Sequence, residues 1–171
     1  MNEYLKHTIR FLILLIAQVF VLNNINLGGY INPFVYILFI MLLPFDIDRI
    51  WLLVLGFITG FSVDLFSGGI IGLHTAASVL IAFLRPYIIR IVSSQKEFDS
   101  STTPSIKDMG FSWFLSYSIL FVLIHHLYYF FLEKYSFHDF FNTISRILLS
   151  TLISTLMIIL CQYIEFRPKR K

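Results

Sequence analysis

The sequence is short of charged residues and of cysteine. Only 13% of its 171 residues are Asp, Glu, Lys or Arg, against about 25% in a typical soluble domain, whereas 57% are hydrophobic. The single cysteine, Cys161, excludes a disulfide within the chain and a cysteine metal cluster, and we expect it to be a buried apolar residue. The scarcity of charge excludes an ordinary soluble domain and predicts an integral membrane protein.

Several functional motifs are also missing. The chain has no G-x-S-x-G, no Walker loop and no H-E-x-x-H, so nothing argues for hydrolytic or phosphate chemistry. Its basic residues form no patch interleaved with exposed aromatic residues, which argues against nucleic-acid binding. The loops are too short for a sizeable soluble domain. We therefore expect a non-catalytic protein without a cofactor, built as a single transmembrane domain over residues 1–171.

Six apolar segments can be marked along the chain. They cover approximately residues 8–22, 33–45, 50–66, 70–92, 111–132 and 140–164. A spanning helix needs about 20 residues, and the first two segments are shorter than this. They either extend into flanking residues, thin the bilayer or pack beneath neighbouring helices. No A-x-A-like cleavage site follows the first segment, which we expect to be an uncleaved membrane helix. The sequence thus predicts an all-α, polytopic membrane helix bundle of six transmembrane helices, with five as the alternative.

The basic residues predict the orientation of the bundle, because Lys and Arg stay on the cytoplasmic side during insertion. With a cytoplasmic N-terminus and six crossings, eleven of the thirteen Lys and Arg residues lie inside. Lys134 lies outside, and Arg146 lies in the outer part of the last span. The polar loop 93–110 and the basic tail 165–171 are then cytoplasmic. We interpret the loop as a tether, with a docking strip for a cytoplasmic partner as the alternative.

A glycine stripe with one carboxylate lies in the third segment. Gly56, Gly60 and Asp64 are four residues apart and should share one helix face, where glycine lets another helix approach closely. A carboxylate at the bilayer centre costs roughly 2.5–3.5 kcal/mol unless it faces a partner, a cavity or the interface. Asp64 is therefore either an interfacial residue that accepts N–H bonds from the adjoining turn, a binding or proton-handling group, or a contact with a partner or with the core.

The residues after Asp64 predict a turn on the outer side. Ser67, Gly68 and Gly69 stand where the third helix should end, and the two glycines suit a backbone with positive φ. Gly72 falls in or just past this turn. His74 follows directly and is the candidate partner of Asp64 within the chain.

The fourth segment contains an arginine followed by a proline. Pro86 should bend or break the helix. Arg85 is expected to anchor the helix by extending toward the cytoplasmic face. A salt link from Arg85 to Asp46 or Asp48 is the alternative.

Polar residues also occur in the last two segments. His125 and His126 are adjacent on one helix and point about 100° apart, so they cannot chelate one ion together. We expect them to make polar contacts between helices; a haem held by His74 and His126 is the alternative. A helix-packing seam is predicted from Ser150, Thr151, Ser154 and Thr155.

The stretch GFITGFSVDLFSGGIIGLHTAASVLIAFLRPY, residues 56–87, closely resembles the central region of the MreD family, the rod shape-determining membrane proteins of bacteria. The shared pattern is G-x-x-x-G-x-x-x-D-[LI]-F-S-G-G-x-x-G-[LM]-H, which here runs from Gly56 to His74. Chain length, the apolar segments and the basic tail also fit this family. The long loop 93–110 is not part of the family motif.

The resemblance implies a non-catalytic scaffold of the cell-elongation machinery in the bacterial inner (cytoplasmic) membrane. The implied partners are MreC, the RodA glycosyltransferase with its transpeptidase, and indirectly the actin-like MreB, which together organise lateral peptidoglycan synthesis and rod shape. The family is also similar to the substrate-binding membrane subunits of vitamin importers of the energy-coupling factor type. A membrane subunit that binds a small molecule for import is therefore the alternative function.

The two functions lead to different expectations for the glycine motif. In a scaffold, the glycine stripe and the FSGG turn should contact a partner helix, that of MreC, so that Gly60→Leu would weaken co-purification with MreC without preventing membrane insertion. In an importer subunit, a polar cavity should open outward near Asp64 and His74.

Overall fold

The computed structural model describes residues 3–25, 30–93, 102–134 and 140–165, although not the side chains of residues 3 and 4. The helices are α1 (Glu3–Ile16), α2 (Leu38–Met41), α3 (Arg49–Ser67), α4 (Leu73–Val92), α5 (Ile106–Met109), α6 (Phe111–Lys134) and α7 (Phe140–Glu165). One π-helical turn, Ala17–Val21, and one 3₁₀ turn, Leu22–Asn24, extend α1.

Five helices in the described part of the chain are long and apolar enough to span a membrane. They are Leu5–Asn24, which comprises most of α1 and its extension, and α3, α4, α6 and α7. Each exposes large apolar side chains, while several serines, threonines and histidines lie in the interior. A polar interior with an apolar exterior suits lipid rather than water. The prediction of an all-α membrane helix bundle is confirmed.

The helices alternate in direction and define two ends of the bundle. At the Ser67 end, α3 ends and α4 begins, and the Asn23 side chain at the end of the first span donates to Ser67 Oγ over 2.9 Å. At the Arg49 end, α3 begins, and the Trp113 indole of α6 donates to Ser93 Oγ over 2.8 Å. The Arg10 guanidinium also pairs there with the Glu165 carboxylate at the end of α7.

The second apolar segment is not a helical span. Residues 30–45, here called the crossing segment, contain only the single turn α2. The segment starts near the Ser67 end, where the Tyr30 hydroxyl donates to the Asn142 carbonyl over 2.7 Å. It finishes near the Arg49 end, where the rings of Phe45 and Trp113 lie 6.2 Å apart. The prediction of a sixth helix over 33–45 is wrong: five helices span, and a largely non-helical segment makes the sixth passage.

The crossing segment runs through the interior of the bundle. Residues 34–43 are only 0–5% exposed. Non-helical backbone at membrane depth is tolerated only where protein surrounds it, because lipid offers no partner to an N–H or C=O group. Within the segment, carbonyls accept from five of its own N–H groups, those of Leu38, Phe39, Met41, Leu42 and Leu43. Polar side chains of the surrounding helices must provide partners for the backbone groups before and after this turn.

Helix α7 provides two of these partners. Ser150 Oγ accepts from the backbone N–H of Asn32 over 3.1 Å, and Ser154 Oγ accepts from that of Phe34 over 2.9 Å. These two serines therefore hold the crossing segment, rather than forming the predicted seam between two helices. The other two seam residues, Thr151 and Thr155, are buried, and their hydroxyls have no hydrogen-bond partner among the described residues.

Gln18, in the π-helical turn that follows α1, provides a third partner. Its Oε1 accepts from the backbone N–H of Val35 over 2.8 Å, and its Nε2 donates to the Pro33 carbonyl over 3.0 Å. One buried amide thus satisfies a donor and an acceptor of the crossing segment. This role could not be predicted from the sequence, because Gln18 interrupts an apolar run without any recognisable motif.

Arg85 of α4 holds the other end of the crossing segment. It is 1% exposed and donates to the carbonyls of Leu43 and Pro44, the latter at 3.2 Å from Nη1, while its Nε donates to Tyr117 Oη over 3.3 Å. The expectations of a cytoplasm-facing anchor and of a salt link are therefore wrong for the described residues. Asp48 instead caps α3, accepting from the Ile50 N–H over 2.8 Å.

Pro86 lies inside α4, which continues from Leu73 to Val92. Of the predicted bend or break at this proline, the break is therefore wrong, and the bend stays a prediction.

The described part of the predicted loop 93–110 is folded against the bundle. Ser105 caps α5 by accepting from the Asp108 N–H over 3.3 Å, and the Ile106 N–H donates to Gln162 Oε1 of α7 over 3.3 Å. Residues 94–101, and the predicted basic tail apart from Glu165, lie outside the described residues.

We expect Gln18→Met to destabilise the protein, because it leaves the Val35 N–H and the Pro33 carbonyl without partners in the interior. Each unsatisfied buried group costs roughly 1–3 kcal/mol, so thermal unfolding in detergent should show a clearly lower midpoint. Ile13→Met, on the exposed face of α1, is the matched control and should leave the midpoint unchanged. Equal midpoints for both variants would contradict this role of Gln18.

Candidate functional site

Asp64, near the end of α3, caps the beginning of α4. Its Oδ2 accepts from the backbone N–H groups of Gly72 and Thr75, both over 2.9 Å, and from the Thr75 hydroxyl over 2.5 Å. Its Oδ1 accepts from the backbone N–H of His74 over 3.0 Å. Four donors and the positive end of the helix dipole compensate this buried carboxylate. The turn-capping alternative is the observed geometry, and Asp64 bonds the backbone of His74 rather than its imidazole.

The glycine stripe lies against α4 of the same chain. A Cβ added to Gly56 would stand 2.8 Å from Ala82 Cβ, and one added to Gly60 would stand 2.4 Å from the His74 carbonyl oxygen. Both glycines therefore permit close packing of α3 on α4. The expectation that they contact a partner helix is wrong, because that face is occupied. Gly60→Leu would disturb the fold itself.

The predicted turn between α3 and α4 is present and exposed. Gly68 ends α3 with φ of 66°, and Gly72 precedes α4 with φ of 103°, backbone conformations that favour glycine. Apart from the adjacent residues, no atom of the described part of the chain lies within 4 Å of a Cβ added to Gly68, Gly69 or Gly72. The exposed large side chains here are Leu65, Phe66, Ile70 and Ile71. We call these four residues, with Gly68 and Gly69, the turn surface.

A polar cavity of about 170 Å³ lies beside this turn, at the Ser67 end of the bundle. Its lining consists of Asn23, Asn32, Phe34, Asp64, Ser67, Gly69, Ile70, His74 and Tyr129. Four predicted site residues therefore line one cavity, whereas Gly56, Gly60, Gly68, Gly72, Arg85 and Pro86 do not. The sequence did not predict Tyr129 or the asparagines, since nothing indicated which residues of separate helices would meet.

A hydrogen-bonded chain runs from this cavity into the interior. The Tyr36 hydroxyl lies 3.1 Å from His74 Nδ1 and 2.8 Å from His125 Nε2, and all three side chains are buried. We call these residues the His–Tyr–His chain. The sequence did not indicate Tyr36 as a site residue, because its segment has the pattern of an ordinary apolar span. A lone tyrosine in that run was the only available signal.

His126 takes no part in this chain. Its Nδ1 lies 2.8 Å from the Val122 carbonyl of the same helix. Its Nε2 lies 3.3 Å from Ser154 Oγ of α7, which is a polar contact between helices, as predicted. The Phe34 ring lies 5.0 Å from the His74 ring and 5.1 Å from the His126 ring, centroid to centroid. The same phenylalanine thus packs on both proposed haem ligands, and the haem alternative does not fit this arrangement.

The dimensions of the cavity limit what it can hold. Pockets for drug-sized ligands usually measure about 300–1,000 Å³, and a water molecule takes about 30 Å³. The cavity therefore has room for about five water molecules or for one small polar molecule. Among the described residues, no group of three or more His, Cys, Asp or Glu side chains could hold a metal ion.

A second, larger groove lies toward the Arg49 end, between α1, the crossing segment and α3. Its volume is about 720 Å³, and Phe11, Phe39, Trp51 and Leu55 are among the residues that line it. The exposed surface of the helices beside it is apolar, as expected for a surface that faces hydrocarbon.

We expect Gly60→Ala to destabilise the protein by roughly 1–3 kcal/mol, because the added methyl group overlaps backbone atoms of α4. Gly69→Ala is the matched control: its Cβ meets open space, so its unfolding midpoint in detergent should equal that of the wild type. Gly60→Ala with a wild-type midpoint would contradict the tight contact between α3 and α4.

Comparisons with known proteins do not assign this chain to a family. No protein-family model, no curated protein and no solved structure matches it. The resemblance to the MreD family therefore rests on the motif from Gly56 to His74 and on the length and apolar pattern of the chain.

Proposed function

We propose that this multi-pass membrane protein is a non-catalytic scaffold of the bacterial cell-elongation machinery. In this proposal it lies in the inner membrane with both termini in the cytoplasm, so that the Ser67 end faces outward. It would organise lateral peptidoglycan synthesis by contacting MreC and, through it, RodA with its transpeptidase and MreB. The motif from Gly56 to His74 supports the proposal, since its residues resemble the central pattern of the MreD family.

The turn surface is the feature that carries the scaffold proposal. Gly56, Gly60 and Asp64 hold α3 and α4 together, whereas Ile70 and Ile71 are 65% and 66% exposed. The buried residues of the motif thus support a turn whose apolar side chains are exposed. The two exposed glycines would let a partner backbone approach closely. We therefore place the MreC contact at the turn surface rather than at the glycine stripe.

An importer subunit is the second candidate, and the polar cavity favours it. Such a subunit was expected to have a cavity near Asp64 and His74, and both residues line the cavity found there. Its volume of about 170 Å³ is small beside the usual range of roughly 300–1,000 Å³, which argues against a vitamin-sized ligand. An ATPase pair with a coupling subunit in the purified complex would favour this candidate.

The scaffold proposal predicts that the turn surface, rather than general apolarity, recruits the partner. In mild detergent, the double variant Ile70→Ser with Ile71→Ser should recover much less MreC than the wild type. The double variant Leu152→Ser with Leu156→Ser, at exposed positions of α7, should recover as much as the wild type. Equal recovery from both variants would contradict the assigned surface, and the absence of cell-wall synthesis proteins from every preparation would contradict the scaffold itself.

A further inference from the structure

The hydrogen bonds of the His–Tyr–His chain determine which nitrogen of His74 carries a proton. Tyr36 has one hydroxyl proton and three polar neighbours. Ser78 Oγ lies farthest away, at 3.5 Å, and donates to the Tyr36 oxygen. Tyr36 therefore donates its own proton to one histidine and accepts from the other. Both rings are taken as neutral. A buried imidazolium at His125 would lack a paired acid among the described residues, and at His74 the neighbouring Asp64 carboxylate bonds the backbone N–H rather than the ring. Two arrangements remain, and they place the proton of each histidine on opposite ring nitrogens.

The surroundings of His125 distinguish the two arrangements. Its Nδ1 is buried and has no hydrogen-bond partner among the described residues. If Tyr36 donated to His125, this nitrogen would be an orphaned N–H donor. In the other arrangement it is an orphaned acceptor. In protein backbones, a buried N–H donor without a partner is rarer and more costly than a buried acceptor without one. If the same holds for this ring, Nδ1 of His125 is the bare acceptor and its proton lies on Nε2.

His125 Nε2 then donates to Tyr36, and Tyr36 donates to His74 Nδ1. The neutral His74 ring must therefore carry its proton on Nε2. His74 is 5% exposed and lines the polar cavity, and no described residue bonds its Nε2. A ring N–H with no hydrogen-bond partner among the described residues thus belongs to the wall of the cavity.

The charge at the cavity restricts the ligand further. Asp64 is the one acidic residue in the lining, so an anion would be repelled. Its four accepted hydrogen bonds use about as many lone-pair sites as a carboxylate has, which leaves little for a cation. The rings of Phe34 and Tyr129 provide apolar walls.

We propose that the cavity is a binding site for a small uncharged molecule, or an uncharged group of a larger one, that presents a carbonyl or hydroxyl oxygen to His74 Nε2–H. Tyr36 is the positioning residue of this site. It does not line the cavity, but its hydrogen bond to His74 Nδ1 keeps the His74 proton on Nε2, the nitrogen that donates to the ligand. The available space, which holds about five water molecules, suits a small polar group such as an amide.

The test uses the purified full chain, labelled with ¹⁵N-histidine, in lipid nanodiscs. Nitrogen shifts distinguish a protonated ring nitrogen from a bare one. We expect Nε2–H and a bare Nδ1 for both His74 and His125. Acetamide, the uncharged probe, should shift the His74 Nε2 resonance saturably. Acetate, which has the same size and a negative charge, should not, and the His126 resonances should stay constant with either probe.

Tyr36→Phe tests the positioning role. Without the hydroxyl, both protonation forms of His74 become available, and if about half of the rings lose the Nε2 proton, the apparent Kd for acetamide doubles. Tyr117→Phe, a buried tyrosine that bonds Arg85 at a distance from the cavity, is the matched control and should bind acetamide like the wild type.

Two results from the wild-type protein alone would overturn the inference, even if Tyr36→Phe does not fold. A proton on His125 Nδ1 would remove the donor assignment and with it the ligand class. The assigned protonation without a saturable response to acetamide would remove the binding site. Neither result depends on a partner protein, so failure here is distinct from failure of the proposed scaffold function.

Discussion

The structure depends on one constraint: a peptide group surrounded by hydrocarbon must find its hydrogen-bond partner within the protein. A helix meets this requirement by itself, but the crossing segment does not. Gln18, Ser150 and Ser154 serve its first half, and Arg85 serves its second half. Polar residues in three spanning regions are therefore explained by one segment that is not a continuous helix.

The same segment also creates the candidate site. Because it passes through the interior rather than along the surface, it brings Phe34 and Tyr36 between α4, α6 and α7. Phe34 forms a wall of the cavity, and Tyr36 connects His74 to His125. A regular helix over these residues would place successive side chains about 100° apart. The irregular backbone before α2 instead lets nearby residues reach different helices, and this concentrates aromatic and histidine side chains at one place.

Much of the fold could be predicted from the sequence, because length and hydropathy are local properties. The helices α3, α4, α6 and α7 were predicted within a few residues, and so was the turn at Gly68. The conformation of residues 33–45 could not be predicted, since an apolar run fits both a helix and a buried irregular segment. The conformation of this segment depends on hydrogen bonds to residues far away in the sequence, such as Gln18 and Ser154. A local sequence pattern does not show that these residues contact the segment.

The candidate site was predicted in part for the same reason. The spacing of Gly56, Gly60 and Asp64 correctly indicated one helix face with a close neighbour, but it could not say whether that neighbour belongs to this chain. The cap from Asp64 to the start of α4 was among the alternatives, because only eight residues separate Asp64 from Gly72. Tyr36 and Tyr129 were missed, since their positions at the site require the tertiary fold.

The central claim is that residues 34–43 cross the membrane inside the bundle without forming a helical span. Nitroxide labels placed singly along these residues, in nanodiscs and with Cys161 replaced, would test it most directly through their collision rates with oxygen, which concentrates in lipid. We predict low oxygen accessibility at every position, with no helical period. An accessibility that rises and falls every 3.6 residues would show a lipid-facing helix and would contradict the account.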